Sequence, residues 1–320
     1  MSKGIFTISL DFELFWGVRD HRTLESYGEN IRNVHNVVPR LLALFNQYDV
    51  HCTWATVGFL FFSDKKELLP YLPGEMPGYV KKEYDPYSYL ENNDLEQVYH
   101  FAPSLIEQIK KTPGQEIGTH TFCHFYTLER DTTIDQFKSD LRAAIRIAKE
   151  KGVAIKSIVF PRNQYSDEHI KACREEGIII YRGNASGAAY KPAARENESI
   201  FKKGMRFADA YINLTGHHCH EMPVSNTIVN IPASRFLRPY KPKFKTFDGL
   251  KLRRIKQGIK FAANKGLIYQ LWWHPHNFGK YMDENFKFLE EVFKYYRQLN
   301  QEGEIESLNL LEIHSRIQHP

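Results

Sequence analysis

The sequence predicts an α/β protein folded as a parallel (β/α) barrel, with a doubly wound open sheet as the alternative. Three observations carry this reading. Short β-rich runs alternate with amphipathic helical segments at least six times, no linker-like shift in composition divides the 320 residues, and the strand-like runs end in acids, histidines or arginine.

The first unit sets the pattern. GIFTISLDF (4–12) reads as a strand ending in acids; residues 30–50 carry Ile31, Val34, Val38, Leu41, Leu42 and Phe45 at helical spacing; HCTWATVGFLF (51–61) reads as a second strand. Strand, helix and strand in that order imply a parallel pair with a right-handed crossover. Helical spacing at 105–111 then precedes the strand EIGTH, an amphipathic helix at 134–151 precedes AIKSIVF (154–160), and a helix at 166–176 precedes GIIIYRG (177–183). Residues 184–250, rich in Gly, Asn, Pro and Lys, read as long loops, and PYLPGEMPGYVKKEYDPYSY (70–89) as an excursion over one rim. Regular spacing returns with a helix at 249–264, the strand GLIYQLWWH (266–274), a helix at 283–300 and a last strand within IESLNLLEI (305–313). The expectation is one domain over residues 1–320, a barrel of about seven strands with insertions at about 65–100 and 184–250.

Composition narrows the function classes. Apolar residues make up 42% of the chain, enough for a large core, and aromatics 14%, more than packing alone calls for and suited to stacking on ring-shaped ligands such as sugars. The net charge of +5 is too dilute to predict a nucleic-acid partner. Its densest part, KPKFKTFDGLKLRRIKQGIK (241–260), is either a solvated face or a surface that meets phosphate or an anionic substrate. Cys52, Cys123, Cys173 and Cys219 show no CxxC spacing, which fits a reducing compartment. A strand pattern begins within a few residues of Met1 and no run of 18 apolar residues occurs, so the expectation is a cytoplasmic protein with no membrane span.

In a parallel barrel, reactive groups gather at the carboxyl ends of strands. Those positions hold Asp11 and Glu13, then His120 and His124, then Arg162, then His274 and His276. Asp11 and Glu13 are two apart and share one strand face. Two histidines and a carboxylate with open positions are what a catalytic divalent metal needs, which leaves the second carboxylate as general base and a separate histidine as general acid. Taken alone, the pair in THTFCH is either a ligand pair or one core and one surface histidine. HHCHE (217–221) reads as a metal loop, a substrate contact or an ordinary loop. Trp272 and Trp273 adjoin His274, and strand alternation turns one of them toward the rim.

SLDFE, EIGTHTFCHF, the FPRNQYS stretch and LWWHPHNFG stand in the order and approximate spacing of the motifs of the polysaccharide deacetylase family, the NodB homology domain of carbohydrate esterase family 4. The sequence resembles that family over roughly residues 4–183 and again near 266–280. The resemblance implies a distorted, NodB-type (β/α) barrel and hydrolysis of N-acetyl groups on sugars with zinc or another divalent ion. It implies that Asp11 is the base, that His120 and His124 are metal ligands, and that His274 is the general acid. Arg162 corresponds to the arginine that holds the base, although it falls one position later than usual. The commoner family pattern has adjacent aspartates; Phe12 stands in the second place here, which makes Glu13 the third ligand candidate, as in branches that act on other amides. Trp272, Trp273, His276 and Tyr165 are candidate substrate contacts. The expected substrate is a carbohydrate intermediate of surface-polysaccharide synthesis, such as a nucleotide sugar or a lipid-linked glycan. The alternatives are a cyclic amidase of the allantoinase type, or an inactive barrel that binds glycan or a protein partner.

Overall fold

Nine parallel strands carry the fold of the computed structural model, which describes residues 2–187, 190–192, 194, 199–224 and 228–319. They are β1 (Gly4–Phe12), β2 (Cys52–Thr56), β3 (Gln115–Thr119), β4 (Ser157–Val159), β5 (Ile180–Gly183), β6 (Val229–Pro232), β7 (Arg235–Phe236), β8 (Ile268–Trp273) and β9 (Ile305–Ser307). The sheet order is β6-β5-β4-β3-β2-β1-β8-β7, with β9 beside the start of β1. β6 and β7 lie at opposite ends of that order, yet only Ala233 and Ser234 separate them. The Ala233 N–H donates to the Gly183 carbonyl and the Ser234 N–H to the Gln270 carbonyl, both at 2.9 Å. One extended segment therefore hydrogen-bonds β5 with its first half and β8 with its second, and closes the ring. This is the distorted α/β barrel that the sequence predicts.

Side-chain alternation sorts the strands into two faces. On β1, Phe6, Ile8, Leu10 and Phe12 point outward into the main core under the surrounding helices. Thr7, Ser9 and Asp11 point into the ring, where Ser9 meets Arg182 and Gln270 from β5 and β8. Ile5, Ile180, Val229, Ile231 and Ile268 fill the lower end of the ring with Leu310 and Ile313. The interior thus grades from apolar at the amino ends of the strands to ionisable at their carboxyl ends.

Three segments depart from the sequence reading. Residues 30–50 do not form one helix; the helices Leu24–Arg32 and Val34–Tyr48 meet at Asn33. The stretch 184–250 supplies a helix, Ile200–Asp209, and the ring-closing β6 and β7, while 188–189, 193, 195–198 and 225–227 lie outside the described residues. In IESLNLLEI the strand stops at Ser307. Asn309 then caps a helix, Leu310–Gln318, with Glu312 returning a bond to the Asn309 N–H. That reciprocal cap outweighs the β-like appearance of the apolar residues.

Candidate active site

The loop after β3 is set by backbone contacts that its sequence makes unavoidable. Thr121 and His124 both adopt left-handed conformations, with φ of 65° and 64°. The buried carboxylate of Asp140, on the helix Ile134–Glu150, accepts the N–H groups of Phe122 at 2.7 Å and Cys123 at 3.1 Å, and the Thr121 hydroxyl accepts the Phe125 N–H at 2.7 Å. Fixed in this way, the turn brings the rings of His120 and His124 to 5.0 Å between centroids. Cys123 points away into the core.

Glu13 lies at the centre of four imidazoles. One oxygen, Oε2, faces His120 Nε2 at 3.4 Å and His124 Nε2 at 3.0 Å; the other, Oε1, faces His276 Nε2 at 3.0 Å and His274 Nε2 at 3.7 Å. The carboxylate is packed so closely on Gly17 that a Cβ there would sit 1.9–2.3 Å from its atoms. Burial pushes Glu13 toward its neutral form, yet the charge of His274 and the bonds to His120, His124 and His276 hold its pKa well below the usual carboxylate range. Burial pulls His124 down to about 4, so that its imidazole is neutral at physiological pH.

Two residue groups here could hold a cation, Glu13 with His120 and His124, and Glu13 with His274 and His276. Proton placement separates them. His120 Nδ1–H donates to the Val159 carbonyl at 2.7 Å, which in the neutral imidazole leaves the Nε2 lone pair turned toward a carboxylate oxygen. In that tautomer the two acceptors suit a cation between them. His276 Nδ1 instead meets the Tyr27 hydroxyl at 2.9 Å and the Asn277 amide at 3.3 Å, so its Nε2–H can donate to Glu13 and the contact is satisfied as it stands. The donor chemistry therefore fits a divalent ion on the first group and gives His276 the task of orienting Glu13.

Asp11 sits two residues before Glu13, near the carboxyl end of β1. Arg182, buried on β5, grips it with two bonds, Nη1 to Oδ1 at 2.6 Å and Nη2 to Oδ2 at 2.9 Å. The same guanidinium donates to Ser9 at 3.0 Å and to the Asn163 side-chain oxygen at 2.9 Å, and stacks on Trp272 at 4.2 Å. Burial pushes Asp11 upward, but Arg182 foremost, with His120 and His274, leaves its pKa lowered. His274 Nε2 lies 3.7 Å from both Asp11 Oδ2 and Glu13 Oε1.

The arrangement corrects several residue expectations. Arg162 does not hold Asp11. It pairs with Asp20 and with Glu129, the latter at 3.2 Å, and covers the Tyr126 ring at 3.6 Å, because Arg162 and Asn163 are both left-handed and turn the arginine aside. The residue that performs the task, Arg182, was present in GIIIYRG as a lone cation within an apolar strand. A buried strand admits such a residue only when it is paired. Trp273 faces outward, fully buried against Phe278 and Phe45, whereas Trp272 faces inward and lines the cleft. Tyr165 packs on Phe160 and Tyr181, and its hydroxyl accepts the Asn184 N–H at 3.1 Å. His276 is buried behind Glu13 and does not line the cleft.

HHCHE does not converge. His217 accepts from Arg254 at 2.9 Å, His218 bonds Thr215 and Ser186, and the Cys219 thiol points at the Gly258 carbonyl. Lys251 and Arg254 of the basic stretch are likewise turned inward, to Asp248 and Asp209.

No family model and no curated protein matches this sequence. Solved structures do. A Mycobacterium smegmatis protein assigned as a polysaccharide deacetylase superposes with a TM-score of 0.62 at 12% identity, over 99% of this chain and 92% of that one. The chain has the fold of the polysaccharide deacetylases. A Pseudomonas aeruginosa protein assigned to the same activity follows at a TM-score of 0.54 and 12% identity, covering 98% of this chain and 90% of that one. The allantoinase PuuE superposes equally well, with a TM-score of 0.55 at 12% identity over 98% and 89% of the two chains. Proteins assigned different activities thus share this fold, and the fold alone does not decide between them. No helix among the described residues is long and apolar enough to cross a membrane.

Proposed function

We propose that this protein is a metal-dependent hydrolase that removes an N-acetyl or related N-acyl group from a carbohydrate intermediate of surface-polysaccharide synthesis. One observation carries the metal dependence: Glu13, His120 and His124, all buried, turn a carboxylate oxygen and two imidazole nitrogens toward one point, with His120 Nδ1 engaged by the Val159 carbonyl so that its neutral form presents the Nε2 lone pair there. Glu13, His120 and His124 would hold the ion, zinc being the simplest match to one oxygen and two nitrogen donors. Such an ion supplies polarisation of the acyl carbonyl and of water. The remaining work falls to the chain. Arg182 keeps Asp11 ionised and aimed, so that Asp11 takes the proton from the attacking water. His274, in reach of both carboxylates and open to the cleft, gives a proton to the departing nitrogen. Trp272, stiffened by Arg182, offers its face to a sugar ring.

Metal analysis of the purified protein, followed by acetate release from N-acetyl sugars, tests this reading. The expected result is about one divalent ion per chain and zinc-dependent release of acetate that Asp11→Asn abolishes while the ion stays bound. Ring opening of a cyclic ureide in place of acetate release would assign the barrel to the cyclic amidases. A protein that takes up no divalent ion would sink both hydrolase readings and leave a glycan-binding or partner-binding barrel.

A further inference from the structure

Asn163 lines the cleft beside Trp272 and His274, half-buried, at the end of the turn that follows β4. Its backbone is held from two directions: the N–H donates to the Phe160 carbonyl at 2.9 Å, and the carbonyl accepts the Asn184 side chain at 3.1 Å. Asparagine tolerates the left-handed φ of 54° found here, but Arg162 before it is equally left-handed at 56°, so the turn alone does not call for an amide.

The amide is oriented by its neighbour. Its Oδ1 accepts from Arg182 Nη2 at 2.9 Å, and the same nitrogen donates to Asp11 Oδ2 at 2.9 Å. A guanidinium only donates, so the amide oxygen is the atom that faces it, and both protons on Nδ2 are turned away from it. No acceptor among the described residues meets them. Asn184, next to it, is the opposite case: its Nδ2 is committed to the carbonyls of Asn163 and Tyr190, at 3.1 and 2.9 Å. Asn163, through the shared nitrogen, and His274 Nε2, at 3.7 Å, are both neighbours of Asp11 Oδ2.

We propose that Asn163 is a further catalytic residue, whose Nδ2 donates to the acyl oxygen of the substrate. The proposal rests on the hydrolase reading of this site. When water adds, its oxygen bonds to the acyl carbon, one of its protons passes to Asp11, and the carbonyl π pair moves onto the acyl oxygen. The carbonyl then re-forms as the C–N pair leaves with the nitrogen, which takes a proton from His274. Charge on the acyl oxygen arises only during the reaction, and a donor already fixed by Arg182 meets it without reorganisation. Being neutral, the amide adds no charge beside Asp11.

Two variants separate this role from support of the turn or of Arg182. Asn163→Asp keeps the size, the tolerance of a left-handed backbone and the bond to Arg182, but replaces both donors by an acceptor; Asn163→Gly keeps the backbone and removes the amide. On the N-acetyl sugar from which the wild type releases acetate, both should lower kcat about a hundredfold with KM within about twofold, while bound metal and thermal unfolding stay as in the wild type. The N-thioacetyl analogue of that sugar gives a second readout, because sulfur is a weak acceptor: the wild-type preference for oxygen over sulfur should shrink about tenfold in Asn163→Gly. Full turnover in Asn163→Asp, an unchanged preference for oxygen, or a rise in KM alone overturns the assignment and leaves the hydrolase standing. Loss of metal or of folding in both variants overturns it too, since Asn163 then supports the site and does not act in it. If the wild type releases acetate from no N-acetyl sugar, the hydrolase reading falls and this assignment falls with it.

Discussion

Two buried glutamates, Glu13 at the mouth of the barrel and Glu116 at its base, are equally hidden from solvent and differ in everything else. Glu116 accepts from the Thr53 hydroxyl at 2.6 Å, from the Ser157 hydroxyl, and from the Leu311 N–H at 3.1 Å. These donors are neutral, they satisfy the carboxyl, and burial leaves its pKa raised. It fastens the last helix across the lower end of the ring. Glu13 has imidazoles in place of hydroxyls, a lowered pKa, and two of its neighbours, His120 and His124, placed with it as a possible cation-binding group. A buried acid with complete hydrogen bonds from neutral donors is a structural tie, whereas one ringed by imidazoles with a strongly shifted pKa is a functional-site candidate.

The contrast can be broken most sharply at Glu13. Glu13→Gln keeps the shape but removes the charge, and should reduce turnover about a thousandfold or more, on the order of 4 kcal/mol in the barrier, with loss of bound metal by elemental analysis. Retention of the ion would show that the glutamate is not a ligand. Next in size is Arg182→Lys, which cannot reproduce the two-bond grip on Asp11. It should lower turnover about a hundredfold and destabilise the fold by about 3 kcal/mol in urea denaturation. If turnover is unaffected, the arginine only packs the barrel.

Glu116→Gln should do the reverse of Glu13→Gln, removing about 1–2 kcal/mol of stability with turnover unchanged. Any loss of bound metal in that variant would erase the distinction between the two acids. The smallest effect is in pH dependence. Because the folded pKa of Glu116 is raised, its contribution is complete below the ordinary carboxylate value of about 4.3 and is lost as pH rises through the raised one. The stability gap between wild type and Glu116→Gln should therefore narrow from pH 4 toward neutrality. In metal-stripped protein the depressed pKa of Glu13 gives the opposite sign, with stability present above pH 4.3 and lost on acidification through the folded value.

Local pattern made much of this architecture legible. The helices at 134–150, 248–265 and 282–301 follow apolar spacing closely, and the polar ends of β1, β3 and β8 mark the mouth of the barrel in the sequence itself. What escaped was set by distant pairing. Arg182 reads as an oddity until Asp11, 171 residues away, is brought against it. Arg162 looked like its equivalent, because two successive left-handed residues cannot be foreseen in FPRNQ. β6 and β7 were hidden in loop-like composition, since a short strand whose neighbours supply most of its burial needs little hydrophobicity of its own. Among the site residues, the assembly of Asp11, Glu13, His120, His124 and His274 was readable from strand ends. The tautomer argument that separates the two candidate ligand groups required the Val159 carbonyl.

The segment that runs from β6 into β7 has a consequence for how the chain reaches its native state. Its partners lie in β5, roughly fifty residues earlier, and in β8, roughly forty later, so the loop-closure entropy of both must be met before either half gains its hydrogen bonds. Until it docks, β5 and β8 are open edges, and a second unfinished chain can pair with them as readily as the correct strand. The ring is thus expected to seal late, so that the yield of refolded protein should fall as its concentration is raised.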